Sequence, residues 1–529
     1  MSMNGTGVDG SASSFGEELA KSPALGEAAD AVASEVERLR SRITGVRGPR
    51  SDAARESFES FMERATEVRG RGLFYPHVGS GLGNGPLIEL MDGSVKYDMI
   101  TGIGVRFFGH SDPDLVRAAV RGAAEDVPMQ GHLMFNPVAI EFAEKLVEEA
   151  SRTSDVKHAF LCGSGAMANE NALKVCYQKN QPAGRVLAFA HCFMGRSTTM
   201  AQIGDSAKGR DGIPLTTQVD YLPFYDHVAA RRMGAGDISG PTRYIDMCLW
   251  HLEQYVERYP KQHACFIFEL IQGEGGFNTA LPEFHRVLME ACRAHGIAVW
   301  SDEVQTFGRT ERMFCFEAMG LGEYVDVVSL GKMSQVCATM YTDEYNPRPG
   351  LLSGTFLGSS AALHVGKRML ERLQEGGYYS EMDGHGKVVK GGKIYKHHHI
   401  FRDRVAALVR KHPDLFAHNH RVHEIASGYG GMLRLTPFAG QREPITKLCH
   451  ACFEEGLIVF FCGHDPYHLR MLPPLGVMEE SDWDPVFEIL ERAMMKVADA
   501  MGPVERGKIR PMRKPAPAGD ATPTGSAGV

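Results

Sequence analysis

The 529-residue chain contains no run of 18 apolar residues, so no membrane-spanning helix is expected. It has no basic excess. Its 57 Lys and Arg stand against 65 Asp and Glu, a formal charge of −8, which leaves no electrostatic footprint for nucleic acid. The opening stretch, "MSMNGTGVDGSASSFGEELAKS", lacks both a basic start and an apolar segment, so no secretory signal is expected there. Cysteine is sparse. Eleven residues, an odd number scattered along the chain, suit reduced thiols and a cytoplasmic setting rather than a disulfide framework. The lone CxxC, Cys449 to Cys452 in "KLCHACFEEGL", has no second pair and reads as core packing rather than a redox or metal site. The three consecutive histidines His397, His398 and His399 cannot share a helix face and have no adjoining carboxylate or cysteine pattern. A solvated loop is expected there, and no metal site. Internal repeats are also lacking.

What is present is an alternation. After a Gly/Ser-rich start, residues 16–70 read as charged helices around a Gly-Pro break. "PLIELMDGSVKYDMI" reads as strand, Asp-Gly turn and strand. From about residue 110, helical stretches such as "PVAIEFAEKLVEEASR" alternate with short apolar runs: "HAFLC", "RVLAFA", "ACFIFEL", "IAVWSDE" and "VDVVSL". Continuous apolar runs mean strands covered on both faces, and alternation with helices means a mainly parallel sheet. After about 370 the pattern turns to helices and then "GGMLRLTPF", "GLIVFF" and "YHLRMLPP", a smaller α+β domain. Residues 376–398 read as a Gly/Lys/His-rich loop, and "KPAPAGDATPTGSAGV" as a disordered tail. The expected divisions are an extension at 1–70, a segment packing with the small domain at 71–110, a large domain at 111–370, the small domain at 371–505 and a tail at 506–529.

In parallel α/β sheets, ligands bind at the carboxyl ends of the strands. After "HAFLC" comes "GSGAMANENALK", a Gly-rich turn opening a helix, whose backbone N–H groups and dipole suit a phosphate. It has neither the P-loop nor the dinucleotide spacing. The other strand ends carry Phe193 and Arg196, then Glu269 and Glu274, then Asp302, Glu303 and Gln305, and finally Lys332. One lysine at a strand end is ordinarily structural. Five strand ends that converge a phosphate cradle, an aromatic ring, carboxylates and a lysine are a different matter. A lysine drawn toward a buried site acquires the depressed pKa that imine chemistry requires. Cradle, lysine and aspartate together are what pyridoxal 5'-phosphate needs, the aspartate keeping the ring nitrogen protonated.

The same residues resemble the class III (omega) aminotransferases, pyridoxal-phosphate enzymes of fold type I, from about residue 90 to 495. The likeness is carried by "SGAMANENALK", "CFMGR", "FELIQGEGG", "SDEVQTFGRT", "SLGK", "SGTFLGSSAAL" and "LRMLPPL". It implies an α/β large domain with a mainly parallel seven-stranded sheet and a smaller α+β C-terminal domain. It also implies roles. Lys332 would carry the cofactor covalently, Asp302 would pair with the pyridinium nitrogen, and Gln305 would face the phenolic oxygen. Phe193 would stack on the ring and Ser164, Gly165 and Ala166 would hold the phosphate, with Glu269 nearby. Thr355 would reach the phosphate of the other subunit's cofactor, so a homodimer with shared sites is implied. Arg196 would take a substrate carboxylate, and Glu274 and Arg470 would form a switchable pair in which Glu masks Arg for one substrate and frees it for the other. The chain departs from the family pattern at Met167 (family Glu), Leu270 (family Pro) and Met194 (family His), which bears on substrate choice.

"GKMSQVCATM" and "QGEGGFNTALPEF" resemble the lysine ε-aminotransferase branch. The expected donor is therefore the terminal amine of a diamino or ω-amino acid, with 2-oxoglutarate as acceptor. Acetylornithine, 4-aminobutyrate, a simple amine or an aminomutase reaction remain as alternatives. From other classes, a nucleotide-binding oxidoreductase or a non-catalytic scaffold would have no need of Lys332.

Overall fold

A computed structural model describes residues 14–126, 134–234, 238–383, 388–417, 422–502 and 509. The first 13 residues and nearly all of the expected tail lie outside them. Five of the seven strands of the central sheet are the apolar runs quoted above. In spatial order the sheet reads Val156–Cys162, Cys337–Thr342, Val327–Leu330, Ala298–Glu303, His263–Phe268, Arg185–Phe189 and Gln218–Leu222. Only Cys337–Thr342 runs antiparallel to its neighbours. All the other strands therefore point their carboxyl ends at one edge.

The strands are apolar throughout because both faces are covered. Leu187, Phe266, Phe268 and Val299 enter one packed core, and Val186, Cys265, Ile267 and Trp300 enter the other. Alternate side chains along one strand point to opposite faces. Helix starts follow from local chemistry. Asp112 and Asn136 each cap a helix whose first residue is proline, Pro113–Ala123 and Pro137–Ala150.

A second, four-stranded sheet has the order Ala426–Tyr429, Met432–Leu435, His468–Met471, Phe460–Cys462. The hairpin expected in "PLIELMDGSVKYDMI" forms from Leu87–Leu90 and Val95–Asp98. Val95–Asp98 also pairs in parallel with Leu457–Ile458, which ties this hairpin to the C-terminal part of the chain. Among the N-terminal helices, Pro23–Arg40 lies against Pro113–Ala123, with Asp30 accepting from Arg117.

Two expectations fail. His397, His398 and His399 are not in a solvated loop but in the helix Lys393–Lys411. His397 is buried and accepts from the indole N–H of Trp483 at 2.9 Å, and His398 Nδ1 lies 2.8 Å from the Gly430 carbonyl. Burial holds both imidazoles well below their usual pKa, at about 4. Adjacent residues on one helix need not share a face when each meets a different neighbour, here Trp483 and Gly430. The 376–398 stretch likewise carries regular structure among its described residues. Glu381–Met382 pairs with Val388–Lys390, and the helix begins at Lys393. By contrast, Cys449 and Cys452 are fully buried on the helix Arg442–Glu455, and all eleven cysteines are free. Among the described residues no cluster able to hold a metal ion occurs and no helix is long and apolar enough to cross a membrane.

Candidate active site

Lys332 follows the buried strand Val327–Leu330 through an extended Gly331 and opens a single 3-10 turn. Its own φ is +55°, a left-handed conformation that costs a non-glycine residue and that accumulates at functional positions. A Cβ on Gly331 would sit 2.7 Å from Cys337 Sγ, so only glycine lets the chain pass the neighbouring strand here. Burial pulls the Lys332 amine down to about 8, against the opposing pull of the Glu274 carboxylate.

Asp302 ends the adjacent strand and is buried. Its Oδ1 accepts from the backbone N–H of Val304 at 2.9 Å and its Oδ2 from Asn169 at 2.8 Å. Burial pushes the carboxyl up to about 6, while these two donors and the Lys332 charge pull the other way. Three residues on, Gln305 is buried and its Oε1 has no hydrogen-bond partner among the described residues. Gly273 makes room for that amide, since a Cβ there would lie 2.6 Å from Gln305 Oε1. A buried amide oxygen left unpaired is aimed at something that donates.

The Gly-rich turn is as the sequence suggests. Ser164 caps the helix Gly165–Lys179, its hydroxyl accepting from Met167 at 3.2 Å. The N–H groups of Gly165 and Ala166 fall in the first turn, where no intrahelical acceptor exists. Both residues are partly exposed and Ser164 is exposed, an open cradle for an anion.

Glu269 is buried and accepts from the N–H groups of Phe193 at 3.1 Å and Gly273 at 2.9 Å. Burial, then the nearby Asp302 charge, pushes it up to about 8. It is therefore a neutral acid near neutral pH that ties the Phe193 segment to the Gly273 loop. The Arg196 guanidinium lies 5.4 Å from the Phe193 ring and is exposed.

Glu274 and Arg470 form two parallel hydrogen bonds, 2.7 and 3.0 Å, with Arg470 fully buried. Burial alone would raise the Glu274 carboxyl, but Arg470 holds it below the usual range. Phe277 and Phe460 flank the guanidinium at 5.8 and 5.4 Å.

The fold thus brings together Lys332, Asp302, Gln305, Glu269, Phe193, Arg196, Glu274 and Arg470. Thr355 is not among them. It lies exposed in the loop between Leu352 and Ser360, with Phe356 beside it 74% exposed. The expected roles passed over Asn169, although it stands in the quoted "ANENALK". Its amide also donates to the Met194 carbonyl at 2.7 Å, so it pins the cradle helix, the Phe193 segment and Asp302 to one another. Its fifth place in the helix, one turn after Gly165, was the signal that could have found it.

This donor set fits pyridoxal phosphate. It offers a depressed-pKa lysine, a buried carboxylate, an unpaired amide oxygen and open helix N–H groups at one sheet edge. Comparison with known proteins agrees. Residues 80–494 match the family model described as aminotransferase class-III. Acetylornithine aminotransferase of Methanocaldococcus jannaschii is 26% identical over 432 residues, spanning 78% of this chain and 93% of that protein. The 5-aminovalerate aminotransferase of Pseudomonas putida is 28% identical over 464 residues, spanning 83% and 99%. Among solved structures, lysine aminotransferase from M. tuberculosis superimposes with a TM-score of 0.69 at 20% identity, over 82% of this chain and 99% of that one.

Proposed function

The chain belongs to the class III aminotransferases, which use pyridoxal phosphate, and from that premise we propose that it takes the terminal amine of a diamino or ω-amino acid, lysine-like in form, and passes it to 2-oxoglutarate. The observation that carries this reading is the buried Glu274–Arg470 pair beside Lys332. A guanidinium that can be covered or uncovered lets one site accept two substrates with different far ends. With Glu274 in place, Arg470 is neutralised and the site accepts a donor that brings no second carboxylate to it. With Glu274 swung aside, Arg470 offers a planar fork to the distal carboxylate of a dicarboxylic oxo acid. Arg196, exposed above Phe193, takes the donor's own carboxylate.

When bound, pyridoxal phosphate supplies an aldehyde for the amine and an electron-withdrawing ring. The protein's residues do the rest. Lys332 Nζ, neutral in a large fraction of molecules near pH 8, removes a proton from the substrate carbon and returns one as acid. Asp302 would set its negative charge toward the ring nitrogen, and Gln305 would present its amide to the phenolic oxygen. The Gly165 and Ala166 N–H groups would hold the phosphate and Phe193 would cover the ring face. Thr355 is assigned to the partner's phosphate in a homodimer.

The lysine preference rests on "GKMSQVCATM" and "QGEGGFNTALPEF". A panel of lysine, ornithine, acetylornithine, 4-aminobutyrate, 5-aminovalerate and a simple amine against 2-oxoglutarate and pyruvate tests it. Glutamate formation fastest with lysine or ornithine is the expected result. Turnover confined to simple amines and pyruvate would sink it.

A further inference from the structure

A cavity of about 780 Å³ is lined by Gln272, Gly275 and Asn278 but by none of Lys332, Asp302, Glu274 or Arg470. It is a chamber separate from the site above, between the segment that carries Glu274 and the four-stranded C-terminal sheet. Arg434 lines it. On that sheet Arg434 stands directly opposite Arg470 in antiparallel register, so the two side chains leave the sheet on the same face. Arg470 has its counter-ion in Glu274. Arg434 has none. Its Nη1 donates only to neutral acceptors, the Gly276 carbonyl at 2.6 Å and Asn278 Oδ1 at 2.8 Å. Its Nε is buried without a partner among the described residues, and the acid whose charge reaches it, Glu424, is paired with Arg231. Burial holds its pKa below the ordinary guanidinium range.

A buried cation without an ion-pair partner of its own is unfavourable unless something neutralises it. Two further arginines line the same cavity, Arg232 and Arg402, both exposed. The lining acids offset them only in part. Asp226 is engaged in capping the helix His227–Met233, and Glu424 is paired with Arg231, which leaves Asp465. Three guanidiniums around one chamber suit an anion with more than one charged oxygen.

We propose that this cavity is a binding site for a small dianion, a phosphate or a short dicarboxylate, held by Arg434 with Arg232 and Arg402 at its mouth. The proposal stands independently of the amine donor assigned above.

Titration calorimetry of the pyridoxal-phosphate-loaded enzyme with malonate and with inorganic phosphate tests it. Saturable binding of one anion per chain is expected for the unaltered protein and for Arg470→Gln. Arg434→Gln should weaken it about tenfold or more, the loss of one charge-assisted contact. Arg402→Ala, at an exposed position that does not threaten folding, should weaken it severalfold and decides the matter if Arg434→Gln does not fold. Preference for phosphate over malonate, or the reverse, identifies the natural source as a phosphorylated compound or a dicarboxylic acid. Three results would overturn the proposal: no binding of either anion, binding untouched by Arg434→Gln and Arg402→Ala, or binding abolished only in Arg470→Gln. The last would place the anion in the catalytic site.

Discussion

Asn169 donates to Asp302 Oδ2 at 2.8 Å and, through the same amide nitrogen, to the Met194 carbonyl at 2.7 Å. The bond is buried and acts on the carboxylate proposed above to face the ring nitrogen. Burial raises the Asp302 pKa and Asn169 is the foremost influence lowering it. Asn169→Ala should therefore push Asp302 further up and leave it partly protonated at neutral pH. The expected outcome is weaker cofactor retention and a fall of about tenfold in kcat/KM, the scale of a lost hydrogen bond to a buried charge. Dialysis followed by visible absorption at pH 6 and pH 8 measures it, with the larger loss at pH 6. Retention equal to the unaltered protein at both values would show that Asn169 only packs.

Lys332 supplies a pH signature in the cofactor-free protein. Its pKa is lowered to about 8 by burial, and only the neutral amine attacks an aldehyde. The rate of cofactor uptake should thus rise about tenfold per pH unit below 8 and level off above it. For an ordinary lysine the rise would continue past pH 10. Stopped-flow absorption over pH 6 to 10 reads the midpoint. Lys332→Ala should abolish turnover, and full activity in that variant would remove Lys332 from the mechanism.

Glu303 makes a prediction about stability alone. It is fully buried beside Asp302, accepts from Thr306 Oγ1 and from the Phe316 N–H at 3.0 Å, and is pushed up to about 7, by burial first. A carboxyl raised in the folded state binds its proton more tightly than when unfolded. Its contribution is full below the unfolded value near 4.5 and is lost as pH rises toward 7. Glu303→Gln keeps both hydrogen bonds, because the Thr306 hydroxyl can turn to accept. The variant should be more stable than the unaltered protein at pH 8, by at most about 3 kcal/mol and seen as a higher Tm, with little or no gain at pH 5. Equal Tm differences at the two pH values would contradict the buried-acid assignment.

Much of the fold could be read from the chain because its signals were local. Five apolar strands, each followed by polar or glycine residues, gave the sheet edge and with it Lys332, Asp302, Gln305 and Phe193. Cys337–Thr342 carries no separate signal because "CATMYT" follows the lysine motif without a break, and Gln218–Leu222 because Gln218 and Asp220 break its apolar run. Asp220 is tolerated in the edge strand since Arg185 and His263 both pair with it. His397 and Arg434 were beyond local reasoning. What each does depends on Trp483 or Arg470, contributed by other segments. Sequence pattern places a residue on an element but does not say what the facing element brings.

The Glu274–Arg470 pair permits the sharpest separation of the two half-reactions. Arg470 is wholly buried, whereas the Glu274 side chain retains 30% exposure, so the carboxylate is the member free to move. Glu274→Gln removes the charge and keeps the shape. Arg470 is then a buried cation lacking its counter-ion, and whatever brings a carboxylate to it binds better. Measured separately in single-turnover experiments, the acceptor half-reaction should show a KM for 2-oxoglutarate lowered about tenfold, and the donor half-reaction with lysine should slow by a similar factor. The sign follows from the pair's geometry: the mask helps the donor and competes with the acceptor. Arg470→Gln should give the reverse asymmetry, with 2-oxoglutarate binding lost and the donor step little changed. If both half-reactions moved in the same direction in both variants, the pair would be a structural clamp, and the dual-substrate reading of the site would fall with it.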